Sequence, residues 1–160
     1  MKKTAAALIV ILICVFAALT AHASGETFSI SDDGKYAILV SYKGNAPEYE
    51  IPRTYAGLPV TKIAAGAFSG NVSTYKIIIG DNITDIEPSS FSAMNSLYEF
   101  EAEGAYTAAD GVLLTSDKKT LVRYPQARTG SYKIPAGVSV GDHAFSGFDR
   151  QVYQRYTRAG

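Results

Sequence analysis

Ile63-Ala-Ala-Gly-Ala-Phe68-Ser-Gly70 is the stretch on which the fold turns. It recurs as Ile86-Glu-Pro-Ser-Ser-Phe91-Ser-Ala93 and as Val140-Gly-Asp-His-Ala-Phe145-Ser-Gly147. Each copy is an aliphatic residue, four mostly small or polar residues, a phenylalanine, a serine and a small residue. The first two phenylalanines stand 23 residues apart, and the gap from Phe91 to Phe145 is 54, one unit plus an insert of 31. A fixed period in this range marks stacked repeats, each too small to bury its apolar side alone.

Working outward, the position six residues beyond each phenylalanine opens an apolar run: Thr74 after Phe68, Leu97 after Phe91. Tyr75-Lys-Ile77-Ile-Ile79-Gly80 reads as a strand with Ile77 and Ile79 inward, Lys76 and Ile78 outward. Asp81-Asn82 makes a turn, and Ile83 to Ile86 is a second short extended piece. Leu97-Tyr-Glu-Phe100-Glu-Ala102 begins the third unit. The insert carries two apolar runs around Ser116-Asp-Lys-Lys119 and reads as a hairpin. Tyr132-Lys-Ile134-Pro135 returns to the strand pattern. Glu26 to Tyr42 reads as another hairpin, turning at Ser31-Asp-Asp-Gly34. Glu48 to Pro52 is a short strand closed by proline. No long helical period occurs. Strands and turns are expected, with a short helical turn near each phenylalanine.

The chain has 160 residues, enough for one domain, with 47% hydrophobic and 19% charged residues;. A packed core follows from that balance. The net charge is zero. No cluster of lysine and arginine suits phosphate neutralisation, so no nucleic-acid partner is expected. Met1-Lys2-Lys3, an apolar run from Ala5 to Leu19 and Ala21-His22-Ala23 form a leader with a small-residue cleavage site, placing residues 1–23 as a signal peptide;. The run is short for a span of roughly 20 residues. A secreted or cell-surface chain from Ser24, with no membrane span after cleavage, is the expectation. It would carry a net charge of about −2 and no cysteine. Burial alone must then hold it together.

Several motifs together resemble one family. Ile51-Pro-Arg-Thr-Tyr-Ala-Gly-Leu-Pro-Val-Thr-Lys-Ile63, the Ala67-Phe-Ser-Gly70 and Ala144-Phe-Ser-Gly147 copies, Asp110-Gly-Val-Leu113, Leu121-Val-Arg-Tyr-Pro125 and Tyr132-Lys-Ile134-Pro135 are similar to the BspA-like leucine-rich repeats of bacterial surface and secreted proteins. The resemblance covers roughly residues 26–147. It implies a β-rich leucine-rich-repeat solenoid, right-handed, with a parallel sheet on one face, an N-terminal hairpin cap and an inserted hairpin. It also implies a non-catalytic, adhesive or ligand-binding role and brings no catalytic residue. Two departures stand out. Ile79-Gly80 replaces the usual Ile-Pro and should loosen one corner. After Phe145 the count lands on Gln151, Gln154 and Tyr156, so residues 148–160 are an atypical basic, aromatic tail. That tail is either an improvised cap or the mark of a shortened array, the latter being the preferred reading.

Chemistry is sparse. After the leader one histidine, His143, remains, at a turn position inside a repeat, where an exposed turn residue is expected rather than a catalytic base. Cys–His catalysis and zinc sites of His and Cys ligands have no residues to use. Asp32-Asp33-Gly34-Lys35 lacks the ligand spacing of a calcium loop. Glu99, Glu101 and Glu103 alternate onto one strand face. Paired carboxylates roughly 5–10 Å apart can hydrolyse glycosides, but a solvated strand face is the expected reading here. Asn71-Val-Ser73 and Asn82-Ile-Thr84 are sequons taken as chance occurrences. No metal or cofactor is implied. The binding surface is expected on the outward side of the strands, at Tyr75, Lys76, Ile78, Tyr98, Glu99 and Glu101, with Tyr49, Tyr75, Tyr98 and Tyr132 forming either a contact row or a spine between coils. The partner class is a host or bacterial surface protein or a glycan. A structural spacer or repeat fragment without its own ligand, and more remotely a glycan-acting hydrolase, are the alternatives.

Overall fold

The computed structural model describes residues 25–148. The expected signal peptide of residues 1–23, Ser24 and all of the 148–160 tail but Phe148 lie outside the described residues.

Twelve short strands follow the local signals. β1 (Glu26–Ile30) and β2 (Ala37–Tyr42) form the expected antiparallel hairpin, with a bulge between Thr27 and Phe28. Its turn is fixed locally: Ser31 Oγ donates to Asp33 Oδ1 at 2.7 Å, and the Lys35 N–H donates to the same oxygen at 3.2 Å. β3 (Glu48–Glu50) is the short strand before Pro52. β4 (Thr54–Tyr55) and β5 (Leu58–Ile63) are joined by Ala56-Gly57, with φ of 50° and 79°. Two left-handed residues make this the tight two-residue turn whose twist matches the flanking strands. β6 (Lys76–Ile79), β7 (Asp85–Ile86) and β8 (Glu99–Ala102) follow. The strands begin two residues later than counting from the phenylalanine predicts, because the amide of Thr74 is taken by Asn71 Oδ1 and that of Leu97 by the Met94 carbonyl.

The strands alternate between two parallel ladders, β2–β5–β7 on one side and β3–β6–β8 on the other, giving a solenoid of about five turns. Between the ladders the phenylalanine segments make a third stacked side. The Phe68 N–H donates to the Ser90 carbonyl at 2.9 Å, and the Tyr42 N–H to the Ala67 carbonyl at 2.8 Å. Within each segment, amides bond to the carbonyl three residues back, as Ala67 to Ala64, Ser90 to Glu87 and Ala144 to Gly141. These are successive turns; no described residue is helical.

Stacking coils places like on like. The Phe68 and Phe91 rings lie 5.3 Å apart, Tyr42 and Tyr49 3.8 Å, and Phe91 and Phe100 5.0 Å. Ile51, Ile63, Ile77, Ile79 and Ile83 close around them, all fully buried. Removing this apolar area from water is the main stabilising term. The N-terminal hairpin covers one end, its Phe28 ring stacked 4.4 Å from Tyr55.

The insert differs in detail from expectation. β10 (Val112–Thr115) and β11 (Thr120–Arg123) form the expected hairpin, but β9 (Tyr106–Ala109) adds a third antiparallel strand through an Asp110-Gly111 turn with φ of 49° and 70°. β12 (Ser139–Val140) lies parallel to β11. β10 is buried on both sides: Leu113 belongs to the first apolar cluster, Val112 and Leu114 to a second one with Leu121, Tyr124 and Phe145.

Two expectations are corrected. Tyr132 to Pro135 is not a strand. The position beside β8 is already filled, since the Phe100 N–H donates to the Gly111 carbonyl and the Ala127 N–H to the Leu97 carbonyl, at 3.0 and 2.8 Å. Tyr132 and Ile134 instead pack against the second cluster. The Gly80 corner is filled rather than slack. A Cβ there would come within 2.5 Å of Asn82 Oδ1, and Asn82 Nδ2 donates to the Val60 carbonyl at 2.6 Å.

Candidate binding face

The parallel register of β3–β6–β8 lays the outward side chains in rows. Glu48, Lys76 and Glu99 form one row; Glu50, Ile78 and Glu101 form the next. The expected surface residues are therefore brought together. Just before the strands, the Tyr98 N–H donates to the Tyr75 carbonyl at 2.7 Å, so the two tyrosines are neighbours across adjacent coils. They are 40% and 51% exposed. The Tyr75 hydroxyl donates to Glu48 Oε1. The Lys76 side chain, only 15% exposed, lies 2.5 Å from Glu101 and 3.8 Å from Glu99. Its hydrogen bond with Glu101, above all, holds its pKa above that of an ordinary lysine;.

The tyrosine row divides. Tyr75 and Tyr98 face solvent. Tyr49 is buried, stacked on Tyr42, and its hydroxyl donates to Glu26 Oε1 at 2.8 Å. Burial first, and the carboxylate second, raise its pKa far above the usual phenol range;. Tyr132 is half-buried with its ring 4.9 Å from Tyr124. Of the four, only the middle pair is left facing solvent.

Several contributors escaped the sequence reading. Arg128 brings its guanidinium 5.5 Å from the Tyr98 ring and 5.9 Å from that of Tyr124, while donating to the Asp110 carbonyl and pairing with its carboxylate at 3.2 Å. Cation–π contact of this kind steadies the ring. At the other end of the strands, Arg53 pairs with Asp81 and with Glu103, the latter at 2.9 Å. An open groove of about 420 Å³ lies there, with Ile78 and Ala102 as apolar lining and Glu50, Glu101 and Glu103 at its rim. Arg128 is far in sequence from these strands, and Arg53, although it follows β3 closely, sits in a loop; neither carried a pattern that would have placed it.

Elsewhere the chemistry stays structural. His143 is exposed in its turn, with φ of 59° and Nδ1 3.0 Å from Ser146 Oγ. Both sequon asparagines hold coils together. Asn71 Nδ2 donates to the Gly44 carbonyl at 3.0 Å, and its Oδ1 accepts from the amides of Ser73 and Thr74. Glu99 and Glu101 lie beside Lys76 on an open face. Among the described residues, no group of three His, Cys, Asp or Glu side chains is placed to hold a metal, and no helix is long and apolar enough to cross a membrane.

No family model and no curated protein matches the chain. Solved structures similar to it include a leucine-rich repeat protein of T. pallidum, at 23% identity and TM-score 0.46 over 52% of this chain and 38% of that one. A leucine-rich repeat protein from Eubacterium ventriosum is similar at 16% identity and TM-score 0.48, over 78% and 62%. The pneumococcal vaccine antigen PcpA is similar at 20% identity and TM-score 0.41, over 59% and 29%. The chain spans less than two thirds of each. These neighbours include bacterial leucine-rich repeat proteins, the kind that the motifs resemble; the solenoid architecture itself rests on the strand order and register described above.

Proposed function

We propose that the protein is a non-catalytic binding protein of the bacterial surface or exterior, which engages a macromolecule through the outer face of β3–β6–β8. The observation that carries this reading is the exposed Tyr75–Tyr98 pair beside an outward, charged strand face. Tyrosines offer broad contact area with few rotatable bonds and are enriched in interfaces. Parallel hydrogen bonds on either side of β6 fix their spacing, so little order must be gained on binding. The residues that serve are Tyr75, Lys76, Ile78, Tyr98, Glu99 and Glu101.

The test is a panel of immobilised purified surface proteins and glycans, probed with the protein and with its Tyr98→Ala and Lys76→Ala variants. Saturable binding to a member of the panel is expected, weakened about tenfold or more by Tyr98→Ala. Variants that fold normally and bind that member as well as the unaltered protein would remove this face from consideration.

A further inference from the structure

We propose that the partner presented to this face is an extended polypeptide segment rich in lysine or arginine, with one cationic side chain lying in the groove over Ile78. This rests on the face being the binding surface and adds the chemistry of what it binds.

Charge makes the first argument. Glu48, Glu50, Asp81, Glu99, Glu101, Glu103 and Asp110 surround Lys76, Arg53 and Arg128, leaving the face at about −4. The described residues 25–148 carry 14 acidic and 10 basic side chains, −4 in total, so their negative charge is gathered here and the remainder of them is balanced. On the opposite ladder Lys62 pairs with Asp85 and Glu87 at 2.9 and 2.5 Å, a net of only −1, beside outward Ile38 and Val40. A localised field of one sign steers the opposite charge and repels its own, which disfavours nucleic acids and anionic glycans.

Shape makes the second. In the row Glu50–Ile78–Glu101, adjacent strands set the two carboxylates about 10 Å apart across an apolar floor;. A lysine or arginine has an apolar stem and a cationic end, so the stem covers Ile78 while the head reaches a carboxylate. Glu50 is exposed and its side chain makes no ion pair or hydrogen bond among the described residues, so its carboxylate is available without breaking a contact.

Period makes the third. Glu99, Glu101 and Glu103 recur every second residue, a step of about 6.6 Å along the chain direction;. An extended segment with cations on one side repeats at the same step. A helical partner does not.

The experiment titrates the purified protein against a fluorescent peptide of alternating lysine and serine, with a peptide of equal length carrying glutamate for lysine. The lysine peptide should bind saturably, and weaken about tenfold or more between low and physiological salt. The glutamate peptide should not bind. Glu50→Gln combined with Glu101→Gln should weaken lysine-peptide binding about fivefold or more, whereas Asp32→Asn, removing a charge at the N-terminal hairpin turn, should leave it unchanged. Equal losses from both would show diffuse attraction and overturn the site. Absence of lysine-peptide binding, or preference for an anionic or neutral glycan, would overturn the cationic partner. On the immobilised panel, loss of binding in Tyr98→Ala with none in the glutamine variant keeps the binding face and sinks the cationic segment. No loss in either sinks both.

Discussion

A guanidinium without a carboxylate beside it is an expensive thing to bury, and Arg123 is 2% exposed on β11;. Nη1 donates to the His143 carbonyl at 2.8 Å, while Nε and Nη2 find no partner. Burial alone pulls its pKa down to about 10. From about pH 10 up to the usual arginine value, the unfolded chain binds more protons than the folded one, so rising pH relieves the penalty there. Arg123→Met gives up one hydrogen bond, worth about 1 kcal/mol, and removes a desolvated charge with two unmet donors. A higher melting temperature is expected; a lower one would show that the His143 tether matters more. Tyr49 has the opposite sign. Its phenol is held neutral in the fold, so above about pH 10 the unfolded chain ionises and the folded chain does not, and stability falls as pH rises;. Tyr49→Phe should flatten this alkaline loss in urea midpoints measured across pH. Alternation in the sequence sorted Lys76 and Ile78 from Ile77 and Ile79 correctly. It could not separate Tyr49 from Tyr75, because both stand near strand starts and the difference is Tyr42, which stacks on one only. Arg123 escaped because a charged residue is ordinarily taken as surface, although alternation with Leu121 two places earlier aims it to the same buried side;.

Among the elements, the β1–β2 and β10–β11 hairpins were the most legible, since their turn residues sit next to the strands they join. The β4–β5 and β9–β10 turns were missed although Ala56-Gly57 and Asp110-Gly111 both have left-handed geometry. Alanine is a poor residue for that region, at a cost of about 1–2 kcal/mol. Ala56→Asn should therefore raise the stability by up to about 1 kcal/mol in chemical denaturation; a loss would mean that the turn is held by contacts elsewhere. The repeated phenylalanine is a sterner case. Phe68 touches Tyr42, Tyr49 and Phe91 with ring separations of 5.8, 5.7 and 5.3 Å. Phe68→Ala should cost about 3–5 kcal/mol. The strand expected at Tyr132 to Pro135 did not form, because whether a sheet position is vacant depends on how the insert folds, and no local pattern in those four residues records that.

At the scale of the molecule, the 23-residue period revealed a stack and where it is interrupted. It did not reveal that the insert builds a wall between two apolar clusters. In a stack each coil contacts mainly its neighbours, so local opening should follow the clusters. Phe145→Ala is expected to speed amide exchange in β11 and β12 while β6 keeps its protection. Uniform acceleration would mean that the clusters open as one.

The doubly buried β10 also sets an order of events. A chain emerging from its N-terminus presents β1 to β8 with all their aromatic rings before Leu113 arrives to cover the last of them. Until then the growing end is an open apolar edge, and the three-stranded insert is the moment of sealing. A chain ending shortly before Gly111 should be protease-sensitive throughout β1 to β8, whereas one ending after Pro125 should protect those strands and leave only Val112, Leu114, Leu121 and Tyr124 open until Phe145 is present.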